Sequence, residues 1–430
     1  MAVNWRGGSR PCWLHDYLGT EKMRPANLVG LLLVPELRRS SRFPIKMKIV
    51  LLTHPVWLES QSMPRFATML CDGMRQRGHD VTCLSAEPKL LKILNPSSVF
   101  FRKWLGYFDQ FVLFPRRLAK WTKKQENDTL FVVVDQALGI WVPVIINRPH
   151  VIHCHDFLAQ RCAFGEFPNV QVGFLGKAYQ AVIRRGYRYG RNFICISEAT
   201  RRDLRSMHTT EHQSIVVHNP IDPRFLLNEP LAFESEKKRS YILNVGADLW
   251  YKNKAGVLLL YASLCRRYEQ ESKIPPDLWI LGNQKPLNSF ATEMPGNARV
   301  KYLPEVTTEE LSKLYRGAAL LLFPSLEEGF GWPILEALGS GTLVVTTDAP
   351  PMSEVGGSAA TYIPRMPDSE IDRIDWSYSG ALVLNHLLNL PDDERSRIID
   401  RGKEHAQQFN IDSVLLQYES FYTHVLHSRS

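Results

Sequence analysis

The chain has 430 residues, enough for two or more domains, and its 44% hydrophobic and 22% charged residues are typical of a globular protein. Its net charge of +8 and pI near 9.0 suit an anionic ligand or a membrane surface, but they fall short of a nucleic-acid binder and no motif for one is present. Its seven scattered cysteines form no CxxC or Cys/His spacing, which favours a reduced, cytoplasmic compartment over a disulfide or zinc scaffold.

Residues 1–46 show little pattern. A short apolar stretch at 28–34 is followed by Arg38, Arg39 and Arg42 rather than by small residues of a cleavage site, so it is a poor signal peptide. At Met47 the sequence changes abruptly to a buried first strand, and Met47 is a credible start codon. We therefore interpret 1–46 as a leader outside the fold.

From Met47 onward, apolar strands alternate with helical segments, which predicts an α/β fold with parallel sheets. The first series of predicted strands covers residues 48–53, 81–84, 131–134, 150–153 and 192–196, with a helix over 64–78. The second series covers 241–245, 278–281, 300–303, 318–323 and 343–345. A polar stretch at 228–240 separates the two series. We predict two Rossmann-like domains, 47–227 and 241–408, with a cleft between them, and a last helix within 409–430 that could cross back to the first domain.

The most informative string is PSLEEGFGWPILEA at 324–337, where two carboxylates, Glu328 and Glu336, flank a glycine turn. It follows an apolar strand and opens a helix near Pro333, which leaves backbone N–H groups free at a positive helix terminus. Such a terminus suits a phosphate. Glu336 could accept hydrogen bonds from a vicinal diol such as a ribose, and Glu328 could face a sugar. The alternative is an ordinary glycine turn whose acid only complements the helix dipole.

The complete string resembles the donor-site signature of the retaining GT-B glycosyltransferases of family 4, also called glycosyl transferases group 1. The resemblance extends from Met47 to the end of the chain and is strongest over 241–357. It implies a GT-B fold, in which two Rossmann-like domains with parallel sheets face each other across a cleft. It also implies transfer of a hexose of the mannose or glucose type, with retained configuration. The donor would be a UDP or GDP sugar, and the acceptor a hydroxyl of a glycan or lipid-linked saccharide.

The same resemblance assigns the donor side. Lys252 would neutralise the departing diphosphate, the more so because Ala247 stands where some members have an arginine, with Lys254 as a possible helper. A solvated loop lysine is the alternative. Glu328 would contact the transferred sugar and Glu336 the ribose. The remaining donor-binding candidates are Gly329, Phe330, Gly331, Asn253, Gly246, Gly282, Leu303 and Val306.

On the acceptor side, His155 and Asp156 follow a predicted strand and could polarise an acceptor hydroxyl or contact the donor sugar. The alternative for His155 is a hydrogen-bonded loop histidine. Asp135, at the end of another strand, is a weaker acceptor-side candidate. The first strand–helix loop lacks the Gly-Gly pair of many relatives, and Arg65 could substitute for it.

Residues 100–124 interleave basic and aromatic side chains at helical spacing. Such a segment suits peripheral contact with an anionic membrane, on the inner face if the acceptor is lipid-linked. We favour the alternative, a pair of helices whose aromatic residues fill the core of the first domain.

No Asp-x-Asp pair stands at a strand end, so we predict a metal-independent enzyme without a cofactor. Three other functions remain open: a weak or inactive nucleotide-sugar-binding protein, a nucleotide-sugar epimerase of the same fold, and a membrane-surface interaction protein, which rests on residues 100–124 alone.

Overall fold

The computed structural model of the chain describes residues 46–55, 62–94, 99–226, 241–282 and 294–428. Residues 1–45 of the predicted leader and the whole of the predicted linker lie outside the described residues. Within the described ranges the chain forms two six-stranded sheets in which every strand pair is parallel. This confirms the predicted fold class.

The first sheet has the strand order β2-β1-β3-β4-β5-β6. Its strands are β1 (Lys48–Leu52), β2 (Asp80–Leu84), β3 (Leu130–Val133), β4 (His150–Cys154), β5 (Asn192–Cys195) and β6 (Gln213–Val216). Its helices are α1 (Ser62–Gln76), α2 (Lys89–Leu94), α3 (Val99–Phe108), α4 (Phe114–Thr122), α5 (Val142–Ile145), α6 (Leu158–Ala163), α7 (Phe174–Tyr187) and α8 (Glu198–Met207). Short 3₁₀ turns cover Gln136–Trp141 and Pro223–Phe225.

The second sheet has the order β12-β11-β10-β7-β8-β9. Its strands are β7 (Tyr241–Val245), β8 (Asp277–Leu281), β9 (Val300–Leu303), β10 (Leu320–Phe323), β11 (Leu343–Thr347) and β12 (Thr361–Ile363). Its helices are α9 (Lys254–Gln270), α10 (Thr308–Gly317), α11 (Trp332–Gly339), α12 (Met352–Gly356), α13 (Glu370–Leu388) and α14 (Asp392–Gln407). A 3₁₀ turn at Trp250–Lys252 precedes α9, and α15 (Ile411–His427) ends the described chain.

The two strand orders determine where a ligand can bind. In a doubly wound parallel sheet, the crevice opens at the carboxyl ends of the two strands where the order reverses. That point lies between β1 and β3 in the first sheet, and between β7 and β10 in the second. The candidate residues that follow these strands are therefore brought to two switch points.

The two edge strands β6 and β12 are absent from the sequence prediction. β6 spans four residues, none fully buried, and β12 spans only three. Neither has the continuous apolar run that marks the buried central strands, such as Leu320–Phe323. Edge strands of this length give little periodic signal.

The last helix, α15, packs on the first sheet although it follows the second in the chain. Tyr418 and Tyr422 on this helix are fully buried in the same core as β4, and the hydroxyl of Tyr422 lies 2.7 Å from Nε2 of His153. Glu419 joins this contact to α1 and β2: it accepts hydrogen bonds from Arg77 (2.7 Å from Nε) and from His79 (3.0 Å from Nε2).

We expect Glu419→Ala to lower the free energy of unfolding by about 2–4 kcal/mol, because it leaves the half-buried guanidinium group of Arg77 and the buried ring of His79 without their carboxylate. The shift of the urea midpoint measures this effect. The exposed Glu404→Ala on α14 is the matched control, and we expect it to stay within about 0.5 kcal/mol of the wild type. Equal midpoints for both variants would contradict this role of Glu419.

Residues 100–124 form α3, a π-helical turn at Asp109–Leu113, and α4. Phe114 is buried against Trp141, with ring centroids 4.5 Å apart, whereas Phe101 and Phe108 are 59% and 45% exposed. Part of the segment therefore fills the core, as the favoured interpretation predicts, and part faces solvent. No helix in the described part of the chain is long and apolar enough to span a membrane.

Candidate functional site

The loops that follow β7 and β10 meet at the switch point of the second sheet. Lys252, at the end of the 3₁₀ turn, places its Nζ 2.7 Å from Oε1 of Glu328. Both side chains are largely buried, at 16% and 8% exposure. Two residues that the sequence analysis singled out separately are thus brought together as one lysine–carboxylate contact at the cleft. A desolvated ammonium group in this position can stabilise an anion that approaches or departs.

Two glycines allow this close approach. Gly246 directly follows β7 with φ +143°, and a Cβ there would lie 3.3 Å from Cδ of Lys252. Gly282 follows β8 with φ +144°, and a Cβ there would lie 2.6 Å from the carbonyl oxygen of Gly246. Both positions favour glycine on conformational grounds, and Gly282 also on steric grounds, because the atom that its Cβ would meet belongs to the backbone.

Asn253 connects the two loops through protein contacts. Its backbone is left-handed (φ +53°), its Oδ1 accepts a hydrogen bond from Gly256 N at 3.0 Å to cap α9, and its Nδ2 donates to the carbonyl of Pro324 at 2.8 Å. The side chain is buried and committed to these partners. The predicted donor-binding role of Asn253 is thus corrected: it positions Lys252 rather than offering its side chain to a ligand.

Replacing Asn253 by alanine should cost about 1–3 kcal/mol, since it removes a helix cap and leaves the Pro324 carbonyl without its donor. It should also loosen Lys252 and so weaken anion binding. The Asn253→Gly variant tolerates the left-handed backbone, so it separates the loss of the side chain from backbone strain. Thermal unfolding measures both variants. Wild-type stability in Asn253→Ala would contradict the assignment.

Lys254 does not reach the cleft beside Lys252. Its buried Nζ lies 2.5 Å from Oδ1 of Asn244 and 3.4 Å from the carbonyl of Leu281, so it joins the ends of β7 and β8. Burial, reinforced by the charge of Lys252, lowers the pKa of Lys254 to about 7. The expected assistance from Lys254 is corrected accordingly, because the ammonium group is already used inside the fold.

Leu303 and Val306 lie where β9 ends, beside the glycine turn of β8. Both are half-buried against the core, and the carbonyl of Leu303 accepts a hydrogen bond from Gly282 N at 3.4 Å. The backbone at the ends of β8 and β9 is thus paired at this point, and the donor-binding role of Leu303 and Val306 stays a prediction.

Glu336 lies in α11 and is buried, 6% exposed. Its Oε2 accepts a hydrogen bond from the hydroxyl of Tyr315 at 3.1 Å, and its Oε1 lies 3.9 Å from Nη1 of Arg65. Burial raises the pKa of Glu336 to about 7, against the opposing charge of Arg65 and the bond from Tyr315. Arg65 therefore extends from α1 of the first sheet to Glu336 of the second, and its predicted acceptor-side role stays a prediction.

The two glycines of the 324–337 motif and the phenylalanine between them have different structural roles. Gly331 caps α11 with φ +111°, a conformation that favours glycine. Phe330 is buried in the core of the second sheet, which corrects its predicted donor contact, since only its backbone is left to face a ligand. Gly329 touches the opposite wall: its carbonyl lies 3.0 Å from Oγ of Ser197, and a Cβ there would lie 2.4 Å from the carbonyl oxygen of His155.

His155 forms that opposite wall, at the end of β4. Its Nε2 donates to the carbonyl of Val134 at 3.0 Å, and its ring packs edge-on against Phe66. Burial lowers the pKa of His155, so the ring is neutral at pH 7 and its Nδ1 is the basic nitrogen.

Asp156 follows in the cleft, accessible to solvent yet enclosed by protein. That enclosure, with the charges of Asp135 and Glu328, raises the pKa of Asp156 to about 6. The wall residues His155 and Asp156 are held by Gln136, whose Oε1 accepts from His155 N at 2.9 Å and whose Nε2 donates to the carbonyl of Asp156.

Two features were missed from sequence. At the switch point of the first sheet, Nε2 of His54 lies 2.8 Å from Oδ2 of Asp135, which also caps the following 3₁₀ turn. Burial alone would raise the pKa of Asp135, but the bond and charge of His54 lower it below its usual range. Across the cleft, Arg161 pairs with Glu327 at 2.9 Å. The sequence offered one signal, for the first of these features: His54 follows β1, and the strand order places the switch point of the first sheet beside that strand.

Two facing parallel sheets with a charged cleft between their switch points define the GT-B class of fold. Family models agree: residues 63–225 match the model for Glycosyltransferase Family 4, and residues 229–375 match the model for Glycosyl transferases group 1. The chain belongs to the GT-B glycosyltransferases of family 4.

Individual relatives are distant. The O-antigen chain mannosyltransferase RfbU of Salmonella typhimurium is 23% identical over 250 residues, which cover 56% of this chain and 62% of the relative. The chain thus matches less than two thirds of that relative's length.

Among solved structures, sucrose-phosphate synthase of Thermosynechococcus elongatus aligns with a TM-score of 0.64 at 16% identity, over 90% of this chain and all of that one. An E. coli structure described as trehalose-6-phosphate bound with UDP-2-fluoro glucose aligns with a TM-score of 0.62 at 12% identity, over 87% of this chain and 98% of that one. At these identities the likeness supports the fold alone.

Proposed function

We propose that the protein is a glycosyltransferase that moves a hexose of the mannose or glucose type from a nucleotide diphosphate sugar to a hydroxyl of a glycan or lipid-linked saccharide. The observation that carries this proposal is the Lys252–Glu328 pair, 2.7 Å apart at the switch point of the second sheet, facing His155 and Asp156 of the first. A protein that only binds a nucleotide sugar would not need a largely buried lysine paired with the carboxylate proposed to face the sugar.

The chemistry follows from these side chains. The bond from the anomeric carbon to the diphosphate oxygen breaks and its electron pair stays on the diphosphate, where Lys252 and the amino end of α11 offset the new negative charge. The acceptor oxygen bonds to the same carbon. With retention of configuration, the hydroxyl approaches on the face of the leaving group, so its proton can pass to the departing diphosphate oxygen. No cofactor and no metal ion enters this scheme.

The choice of donor rests on likeness. RfbU is a mannosyltransferase by name, and one structural neighbour was solved with a UDP-glucose analogue. UDP and GDP sugars are therefore the donors to test first. Retention is proposed from the resemblance of the 324–337 string to retaining family 4 enzymes.

A peripheral contact with an anionic membrane, on the cytoplasmic side, forms part of the proposal. It is supported by the exposed Phe101 and Phe108, which accompany exposed basic side chains on the same segment: Arg116, Arg117, Lys120, Lys123 and Lys124. Such a surface would bring a lipid-linked acceptor to the first sheet.

A donor panel tests the proposal. The protein is incubated with UDP- and GDP-linked glucose, mannose and galactose, with and without a lipid-linked saccharide acceptor, and released nucleoside diphosphate and product anomer are measured. We expect release with one donor, increased by acceptor, and a product of the donor's own anomeric configuration. Binding without release would favour an inactive binding protein, and a change of the sugar without an acceptor would favour an epimerase.

A further inference from the structure

Arg65 is a residue of the first sheet's α1 that lies against the donor motif of the second. Its Nη2 lies 3.0 Å from Oδ2 of Asp222, its Nη1 lies 3.9 Å from Oε1 of Glu336, and its guanidinium carbon stands 5.9 Å from the ring centre of Trp332. Trp332 and Glu336 both belong to α11. One side chain thus joins the two halves of the cleft at the carboxylate assigned to the ribose.

The surroundings of Glu336 make this cation important. Four charged or titratable groups on neighbouring elements act on Glu336. They are Arg65 from α1, Tyr315 from α10, Asp222 from the loop after β6, and Lys252 from the turn after β7. Of these, Asp222 is itself held by Arg224, at 2.7 Å, and opposes ionisation of Glu336. Arg65 is the nearer of the two cations that favour the carboxylate.

We propose that Arg65 is a positioning residue of the donor site, which reaches across the cleft and, through its positive charge, keeps the Glu336 carboxylate ionised for the ribose diol of a nucleoside diphosphate. This inference rests on the proposed function, since it assumes that a nucleotide is the ligand. The positive charge beside Glu336 thus comes from α1, next to the first sheet. Position 247, in the loop after β7 of the second sheet, could carry an arginine but has an exposed alanine.

The physical argument concerns the protonation of Glu336. Its pKa of about 7 means that the carboxyl group is near its midpoint at neutral pH. Removing the positive charge of Arg65 raises that pKa further, so the carboxylate is protonated over more of the neutral range. A protonated carboxyl offers one strong acceptor fewer to the two ribose hydroxyls.

The test compares UDP and GDP with their 2′,3′-dideoxy analogues, which carry the same base and phosphates but no diol. Dissociation constants for the wild type and Arg65→Gln are measured by calorimetry at about pH 6, 7 and 8. A nucleotide and its dideoxy analogue carry the same phosphates, so pH changes the charge of both equally. The ratio of their two affinities therefore reports the contribution of the diol alone. In the wild type we expect this ratio to fall as pH drops through about 7, since the folded carboxylate is lost there.

In Arg65→Gln we expect the midpoint of this ratio to move to higher pH. A shift of one pKa unit reduces the diol advantage about fivefold at pH 7 and less at higher pH. Binding of the dideoxy analogue should not change. Arg65→Lys should keep part of the effect, since it keeps the charge. The control is Arg75→Gln, also on α1, whose Nη2 donates to the Val81 carbonyl away from the cleft.

An equal loss of affinity for both nucleotides, at every pH, would overturn the inference and would indicate that Arg65 contacts the phosphates or the base. An unchanged midpoint would overturn it as well. Failure of the proposed function gives different results: the wild type would bind neither nucleoside diphosphate, or would bind one and release none from any nucleotide sugar of the donor panel.

Discussion

Lys252→Ala should reduce transfer about 100- to 1,000-fold, the usual cost of removing a main electrostatic contact to the leaving group. The reason is that the side chain of Lys252 is largely buried at the cleft, 2.7 Å from Glu328, where its charge is poorly screened by water. The substitution also leaves Glu328 as an unpaired negative charge next to the anionic donor. The rate with saturating donor and acceptor measures the effect.

Companion variants separate charge from packing. Lys252→Arg keeps a cation and should recover part of the rate, and Lys252→Ala with Glu328→Gln removes the unpaired carboxylate while still lacking the cation. The exposed Lys313→Ala on α10 is the control and should match the wild type. A Lys252→Ala enzyme that turns over at more than about a third of the wild-type rate would contradict the assignment of Lys252.

Gly329→Ala should inactivate the enzyme while leaving both sheets folded. An added Cβ would lie 2.4 Å from the carbonyl oxygen of His155 and 2.8 Å from Cβ of Asp156, atoms that cannot rotate away. The two walls of the cleft must therefore separate at the reacting centre, and a displacement of about 1 Å there can cost about 100-fold in rate. The backbone of Gly329 is not in the left-handed region, so alanine itself is tolerated there.

We expect the Gly329→Ala protein to melt within about 2 °C of the wild type, because the clash lies between the sheets and not within either core. Nucleoside diphosphate should still bind, since Lys252 and Glu336 are unchanged, with a loss of affinity limited to the contribution of Arg65, which moves away from Glu336 with the first sheet. Gly296→Ala is the control, since its Cβ would meet no atom within 4 Å. Full activity in Gly329→Ala would show that the walls do not meet at this position during turnover.

The sequence placed Lys252 and Glu328 at the ends of predicted strands because both residues are close in the chain to segments with a strong apolar signal. Lys252 follows β7 and Glu328 follows β10, and both strands are buried throughout or nearly so. Parallel strands bring such ends to one edge of the sheet, so the contact between the two residues follows from the alternation of strands and helices.

The contacts across the cleft could not be predicted in the same way. Arg65 and Glu336 are separated by more than half of the chain, and Arg161 and Glu327 by 166 positions; nothing local indicates either pair. The side of the cleft that Arg65 occupies depends on how the two sheets face each other.

Side-chain direction was the other source of error. Phe330, Asn253 and Lys254 lie at the expected places in the chain, but burial and hydrogen bonds turn their side chains into the fold. A motif gives the position of a residue along the chain. It does not show whether packing or a ligand uses the side chain.

The most direct test of the donor site is a calorimetric titration of UDP and GDP into the wild type and the Lys252→Ala and Glu336→Gln variants. We predict that the wild type binds at least one of the two nucleotides, and that each substitution weakens binding at least about tenfold, or 1.4 kcal/mol. The same affinity in all three proteins, or no binding to the wild type, would contradict a nucleoside diphosphate site between the two sheets.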